Sequence, residues 1–338
     1  MAAALDWKNL EFAYMDTGAY VTVTYRDDSW GAIKTESKAH IPLHIAATAL
    51  HYGQACFEGM KAFRQKDGSV AIFRPEENAR RLINTAERLV MKAPSVDLFI
   101  DAVKKAVEIN TDFVPPYGTG ASLYIRPLLI GISPQVGIHA SEEYLFAVLA
   151  MPVGPYYKDG FFPVDAMVQE NYDRAAPRGV GHVKAAGNYA AGMRGDMDAK
   201  SKGFPICLYL DAATHTYVEE FGTSNFIGIT GNKKYITPDS QSILPSITNQ
   251  SLQVIAQDLG FSVERRRIPV DSLDQFSEVG ACGTAAVITP VHSIRHDRKV
   301  YTFGSADKAG ENLTRFFHEI QGIQYGEIED RHGWMVKV

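Results

Sequence analysis

One ten-residue break constrains this chain more than any other feature: Met151-Pro-Val-Gly-Pro-Tyr-Tyr-Lys-Asp-Gly160. Its prolines and glycines interrupt both helical and strand patterning, so the periodic segments on either side belong to separate bodies. A chain of 338 residues is long enough to build two cores. We therefore expect two mixed α/β domains, residues 1–155 and 173–338, joined by a linker at 156–172.

Ahead of the break, Tyr20-Val-Thr-Val-Thr-Tyr25 alternates as a strand does, and Val70-Ala-Ile-Phe73 follows the turn Lys66-Asp67-Gly68. Pro75 opens a helix expected to reach about residue 91, with Leu82, Ala86, Leu89 and Val90 as its apolar stripe. A second helix is predicted over about 97–110, then strands at Ser122–Pro127 and Tyr144–Ala150. Past the break come a helix at about 188–200 and short strands at Ile206–Leu210, Phe226–Ile229 and Lys234–Ile236. A helix at about 247–259 is closed by Gly260. Two strands around the turn Cys282-Gly-Thr-Ala285 and a helix near 306–320 complete the chain.

A net charge of −5 gives no basic surface for nucleic acid or an anionic membrane, and no apolar stretch reaches spanning length. The N-terminus carries charge within six residues and lacks a signal-peptide core. Cys56, Cys207 and Cys282 are odd in number and far apart, which fits a reducing compartment. The expectation is a soluble cytoplasmic protein with neither nucleic-acid nor membrane partners. Gly118-Thr-Gly120 lacks the third glycine of a dinucleotide fingerprint and precedes a strand. His40/His44 and His292/His296 have no acid or cysteine partner evident nearby, so no metal is expected.

The chemistry points elsewhere. Lys184 lies in Gly181-His-Val-Lys-Ala-Ala-Gly-Asn-Tyr189, where small neighbours leave room for a flat ligand beside the amine. A lysine so placed can form an imine with a carbonyl compound, and pyridoxal phosphate is the commonest such partner. That cofactor also needs an acid at its ring nitrogen, donors for its phosphate and a partner for its ring hydroxyl. Tyr189 suits the hydroxyl. Glu220, read as part of a turn leading into Gly-Thr-Ser-Asn225, suits the nitrogen, and spacing does not separate it from Glu219. Ser246 reads as a helix N-cap, which would leave the amides of Ile247 and Thr248 for an anion. Arg80 or Arg81 could serve the same phosphate.

These segments together resemble the branched-chain amino acid aminotransferases, among the fold-type-IV pyridoxal phosphate enzymes. The likeness runs over nearly the whole chain. It rests on Leu50-His-Tyr-Gly53, Phe57-Glu-Gly-Met-Lys-Ala-Phe63, Phe73-Arg-Pro75, Asn78-Ala-Arg-Arg81 and Ser122-Leu-Tyr-Ile-Arg-Pro127. Lys184–Tyr189, Glu220–Asn225, Leu244-Pro245, Gly283-Thr-Ala285 and Pro290-Val-His292 extend it.

The resemblance implies a small N-terminal domain, a larger cofactor-binding domain and a site between them. It assigns the imine to Lys184, the ring-nitrogen acid to Glu220, the ring-hydroxyl partner to Tyr189 and the phosphate to Arg81, Ile247, Thr248 and Thr284. Tyr52, Phe57, Tyr124, Tyr156 and Thr223 would wall the side-chain pocket, with Arg126 for a glutamate carboxylate and Thr284-Ala285 for the α-carboxylate. A homodimer is implied, in which the loop Gln135-Val-Gly-Ile138 offers Val136 and Ile138 to its neighbour. The implied reaction is reversible amino transfer between leucine, isoleucine or valine and 2-oxoglutarate. D-Amino acid or amine aminotransferases and aminodeoxychorismate lyase share the lysine and acid, and a non-catalytic binder with the same fold is the reading from another class. Two departures stand out: no Cys-x-x-Cys follows Gly283-Thr-Ala, and Ser246 replaces the glycine usual after Leu-Pro.

Overall fold

Val21 and Val23, two residues apart, bury one side of the strand Tyr20–Arg26, and the sheet it joins is antiparallel throughout. The computed structural model describes residues 5–154 and 160–338. These divide into two units. One takes the described residues up to 154, with Val183–Gly187 and Gly322–Val338; the other takes 160–182 and Asn188–Gln321. The division is therefore not collinear with the chain. The short Val183–Gly187 stretch joins the first unit because Ala185 bridges Cys56 and the Lys184 amide donates to Thr85 Oγ1 at 3.0 Å.

In the first unit the strands run Met335–Lys337, Val70–Phe73, Met60–Arg64, Ser122–Gly131, Tyr144–Val153, Tyr20–Arg26 and Ser29–Trp30. Ala55–Phe57 pairs beside Ser122–Gly131, and Lys34–Glu36 beside Tyr20–Arg26. Helices Pro75–Arg88 and Val96–Glu108 bury Leu82, Ala86, Phe99, Val103 and Val107 in one core with Val21, Ile72, Leu123 and Phe146. The first of these helices stops three residues short of the expected end. Met91 N–H bonds to Ala86 O and Val90 N–H to Glu87 O, which is a Schellman closure. Val90 supplies its left-handed residue at φ 55° and lies exposed instead of lining the core.

The second unit is a mixed sheet. Val218–Phe221, Ile206–Leu210, Val164–Val168, Val287–His296, Glu278–Gly283 and Ser224–Ile229 are neighbours in that order. Val218–Phe221 also pairs with Ser224–Ile229, so these six strands close a ring. Lys234–Pro238 and Ser262–Arg266 continue from it, and Lys299–Thr302 pairs beside Val287–His296. Phe221, Phe226, Ile236, Leu273 and Ile294 fill its core. Helix Ala186–Ser201 from Asn188 onward and helix Ile247–Asp258 belong to this unit, and both start close to where the sequence placed them. No helix among the described residues is long and apolar enough to cross a membrane.

Candidate active site

The first unit gathers charge around Lys184. Phe57 N–H donates to the Lys184 carbonyl at 3.4 Å, which ties the lysine to the strand Ala55–Phe57. Its amine lies 4.7 Å from the Phe57 ring centroid, and the Arg126 guanidinium lies 4.6 Å from the same centroid. Burial pushes the Lys184 amine down to about 8; Arg81 and Arg126 push the same way, while Glu58 and Tyr124 oppose them.

One helix face supplies much of the surrounding structure. Asn78, Arg81 and Thr85 recur at helical spacing along Pro75–Arg88. Arg81 donates from Nε to Glu58 Oε1 at 2.8 Å and from Nη2 to Oε2 at 2.7 Å, a forked pair on a carboxylate with no exposure. Asn78 Nδ2 donates to the same Oε2 at 2.7 Å. Thr85 donates to Arg81 O at 2.9 Å and accepts from the Lys184 amide. Arg80, the competing arginine, is exposed and pairs with Glu77.

Strand alternation puts Tyr124 and Arg126 on one face of Ser122–Gly131. Arg126 Nη2 donates to Tyr124 Oη at 2.9 Å, and among the described residues its buried Nε has no partner. Gly59 makes this approach possible, because a Cβ there would collide with the Tyr124 hydroxyl. Tyr52 is partly exposed and donates from its hydroxyl to Val136 O of the same chain. Val136 and Ile138 are 85% and 89% exposed, a high value for two aliphatic side chains. Tyr156 lies outside the described residues.

The second unit holds the acid. Glu220 is inside the strand Val218–Phe221, 3% exposed, and not in the turn expected from the sequence; that turn is Gly222-Thr223. The strand continues because Glu220 pairs with Asn225 across the hairpin. Its carboxylate accepts from Arg174 Nη2 at 2.7 Å, Leu244 N–H at 3.0 Å and Asn225 Nδ2 at 2.9 Å. Burial pushes it up to about 7 despite these donors, with Glu219 adding to the rise. Glu219, on the opposite strand face, is held by Ser240 Oγ at 2.6 Å.

Leu244 leads directly into the capped helix. Ser246 Oγ accepts from Asn249 N–H at 3.2 Å, so Ile247 and Thr248 occupy the first turn, where amides have no helical acceptor. Asn249 Nδ2 in turn donates to Asn225 Oδ1 at 3.1 Å, joining helix start and acid in one network. Thr284 and Ala285 form the turn between Glu278–Gly283 and Val287–His296. A Cβ at Gly283 would stand 3.8 Å from Thr223 O, so the turns of Thr223 and Thr284 are neighbours. Tyr189 is half-buried in the first turn of Ala186–Ser201. His296, unlike its sequence reading, does have acids close by: Asp297 follows it, and Glu170 accepts the Asp297 amide at 3.2 Å on the exposed surface. Parallel pairing of Val164–Val168 with Val287–His296 brings Glu170 there.

Four residues of these clusters were not picked out by sequence reasoning. Glu58 sat unassigned within a quoted motif, and Thr85 lies one turn beyond Arg81, so both had a usable signal. Asn249 lies in a segment noted only for its cap. Arg174, in the exposed-looking run Tyr172-Asp173-Arg174, had none.

The chain matches the sequence profile described as amino-transferase class IV over residues 55–294. It is 47% identical to the branched-chain-amino-acid aminotransferase of Haemophilus influenzae, covering 99% of both chains. It is 44% identical to the enzyme of the same name from Helicobacter pylori, covering 99% of this chain and 98% of that one. The solved branched-chain amino acid aminotransferase of Escherichia coli superposes with a TM-score of 0.77 at 28% identity, covering 89% of this chain and 96% of that one.

Proposed function

Because this chain belongs to the class IV aminotransferases, we propose that it exchanges the amino group of leucine, isoleucine or valine with 2-oxoglutarate, using pyridoxal phosphate. The observation that carries this reading is the desolvated Lys184 amine grouped with Phe57, Arg81, Tyr124 and Arg126, in a chain 47% identical to such an enzyme over its full length. The residues fit the cofactor. Lys184 offers an amine depressed to about 8, Glu220 a buried carboxylate with three donors on it, and Ile247 and Thr248 the amides of a capped helix start.

When bound, the cofactor supplies an aldehyde for an amine and a ring that accepts electrons. Lys184 is the residue that would hold that aldehyde, and its Nζ the base that would take the substrate α-proton. A lysine near its ordinary pKa of about 10.4 would be protonated at neutral pH and a poor base; burial removes much of that obstacle. By the family resemblance, Glu220 would hold the ring nitrogen, Tyr189 the ring hydroxyl, and Arg81, Ile247, Thr248 and Thr284 the phosphate. The Thr284-Ala285 turn takes the α-carboxylate.

The family resemblance assigns Tyr52, Phe57, Tyr124, Tyr156 and Thr223 to the side-chain pocket. Burying a leucine side chain contributes about 1.5–3 kcal/mol, and one methylene discriminates only about 10–200-fold, so one pocket serves all three aliphatic substrates. Arg126, whose buried Nε has no partner among the described residues, receives the distal carboxylate of glutamate. The exposed Val136 and Ile138 support a homodimer in which this loop completes the neighbour's pocket. Three free, buried cysteines support a cytoplasmic setting. Steady-state rates with L-leucine, L-isoleucine, L-valine and their D-forms against 2-oxoglutarate test the reading; turnover confined to the D-forms, or none at all, overturns it.

A further inference from the structure

Arg174 stands outside every role given above, yet it is 9% exposed and bound to the acid at 2.7 Å. Its Nη2 also donates to Gly181 O at 3.0 Å and to Ser242 O, so three acceptors hold one guanidinium nitrogen in place. Residue 181 has to be glycine for this. A Cβ there would overlap Ser242 O, the Ala175 methyl and Arg174 Nη2 itself. The first small residue ahead of Lys184 thus makes the seat of the arginine in the second unit.

We propose that Arg174 is a positioning residue that keeps Glu220 a carboxylate, so that the proton shared with the cofactor ring resides on the ring nitrogen. This rests on the function proposed above and adds the control of its ring protonation. A carboxyl group and a pyridine nitrogen sharing one proton have two arrangements: an ion pair, or a neutral acid bonded to a neutral ring. A buried site disfavours the ion pair through desolvation. The guanidinium interacts strongly with the acid only when it is charged, so its presence shifts the balance back.

The other groups near Glu220 do not replace this effect. Glu219 adds negative charge and raises the Glu220 carboxyl, whereas Arg174 is the largest influence lowering it. The Cys282 thiol, buried and raised by burial and by Glu220, is neutral. Leu244 N–H and Asn225 are neutral donors, each weaker than a charged one.

The test reconstitutes the full chain, wild type and variants, with pyridoxal phosphate carrying 15N in its ring. The 15N shift of the bound cofactor and its dissociation constant are read from pH 6 to 9. In the wild type the ring nitrogen stays protonated. Arg174→Gln is expected to move the resonance to the unprotonated range and weaken cofactor binding by roughly tenfold, the loss of one charged contact. Arg174→Lys keeps the charge and should keep the ring proton, which a purely structural role does not require. A protonated ring in Arg174→Gln overturns the inference. So does an unprotonated ring in a folded, cofactor-binding Arg174→Lys protein, which also decides the matter should the glutamine variant not fold. Absence of cofactor from the wild type, or its hydride-trapped attachment away from Lys184, instead overturns the function on which the inference rests.

Discussion

The Lys184 cluster and the Glu220 cluster are built on the same device with opposite sign. Each buries an ionisable group and sets a guanidinium–carboxylate pair in the same unit. Around Lys184 the one carboxylate, Glu58, pairs with Arg81, while Arg81 and Arg126 both act on the lysine, so positive charge is in excess among the described residues. Around Glu220 the guanidinium of Arg174 faces Glu219 as well, so negative charge is in excess there. The first composition suits phosphate and carboxylates; the second suits a protonated ring. Burial alone makes a group neutral, and the excess of partners decides which charge a ligand meets.

Removing the amine tests the first cluster most severely. Lys184→Ala should lower leucine turnover by at least about 10²–10⁴-fold, the usual worth of a positioned acid–base group, with the covalent anchor lost as well. Steady-state activity near the wild-type level in that variant would reject the assignment. Glu58→Gln strips the positive cluster of its carboxylate. Taking that charge away from the nearly buried Arg81 should cost about 3–5 kcal/mol in denaturant melts of the cofactor-free protein. A loss under ~1 kcal/mol would mean that the pair is dispensable.

A milder substitution probes specificity. Arg126→Met should reduce kcat/KM for 2-oxoglutarate about tenfold or more, with a smaller loss for leucine, because only the former has a second carboxylate. Equal losses for both substrates would refute that role. The smallest effect is a pH slope. Glu220 is raised from 4.5 to about 7, so between those values the folded state holds a proton that the unfolded state has released. Its contribution to stability is complete below 4.5 and is lost as pH rises through 7. Lys184, lowered from 10.5 to about 8, does the reverse: stability rises across that interval because the unfolded chain binds the extra proton. Melting temperatures of cofactor-free Glu220→Gln and wild type, compared from pH 4.5 to 7, should differ in slope, the variant being flatter. Parallel curves would contradict the raised carboxyl.

Much of this molecule was legible in its residues. Helix Val96–Glu108 follows directly from Phe99, Val103 and Val107 at helical spacing, and Ser246 caps its helix as its position predicts. The clusters were legible only where a motif concentrates them. Phe57 and Lys184 sit in runs of unusual composition, whereas Arg174 sits in a polar loop that resembles any surface turn. Val90 illustrates a different limit: apolar patterning placed it inside, but the hydrogen bonds closing the helix took priority and turned it outward.

Local periodicity and turn chemistry were enough to determine the elements, because each depends on residues a few positions apart. Family resemblance in the ordered segments was enough for the kind of reaction. Only the tertiary structure decided that Val183–Gly187 leaves its sequence neighbours, with Ala185 pairing to Cys56, that Arg174 bonds Glu220 and not Glu219, and that Glu58 is the partner of Arg81. Burial and ion pairing are properties of contacts between distant residues, so the charge each site presents is absent from any stretch of sequence read alone.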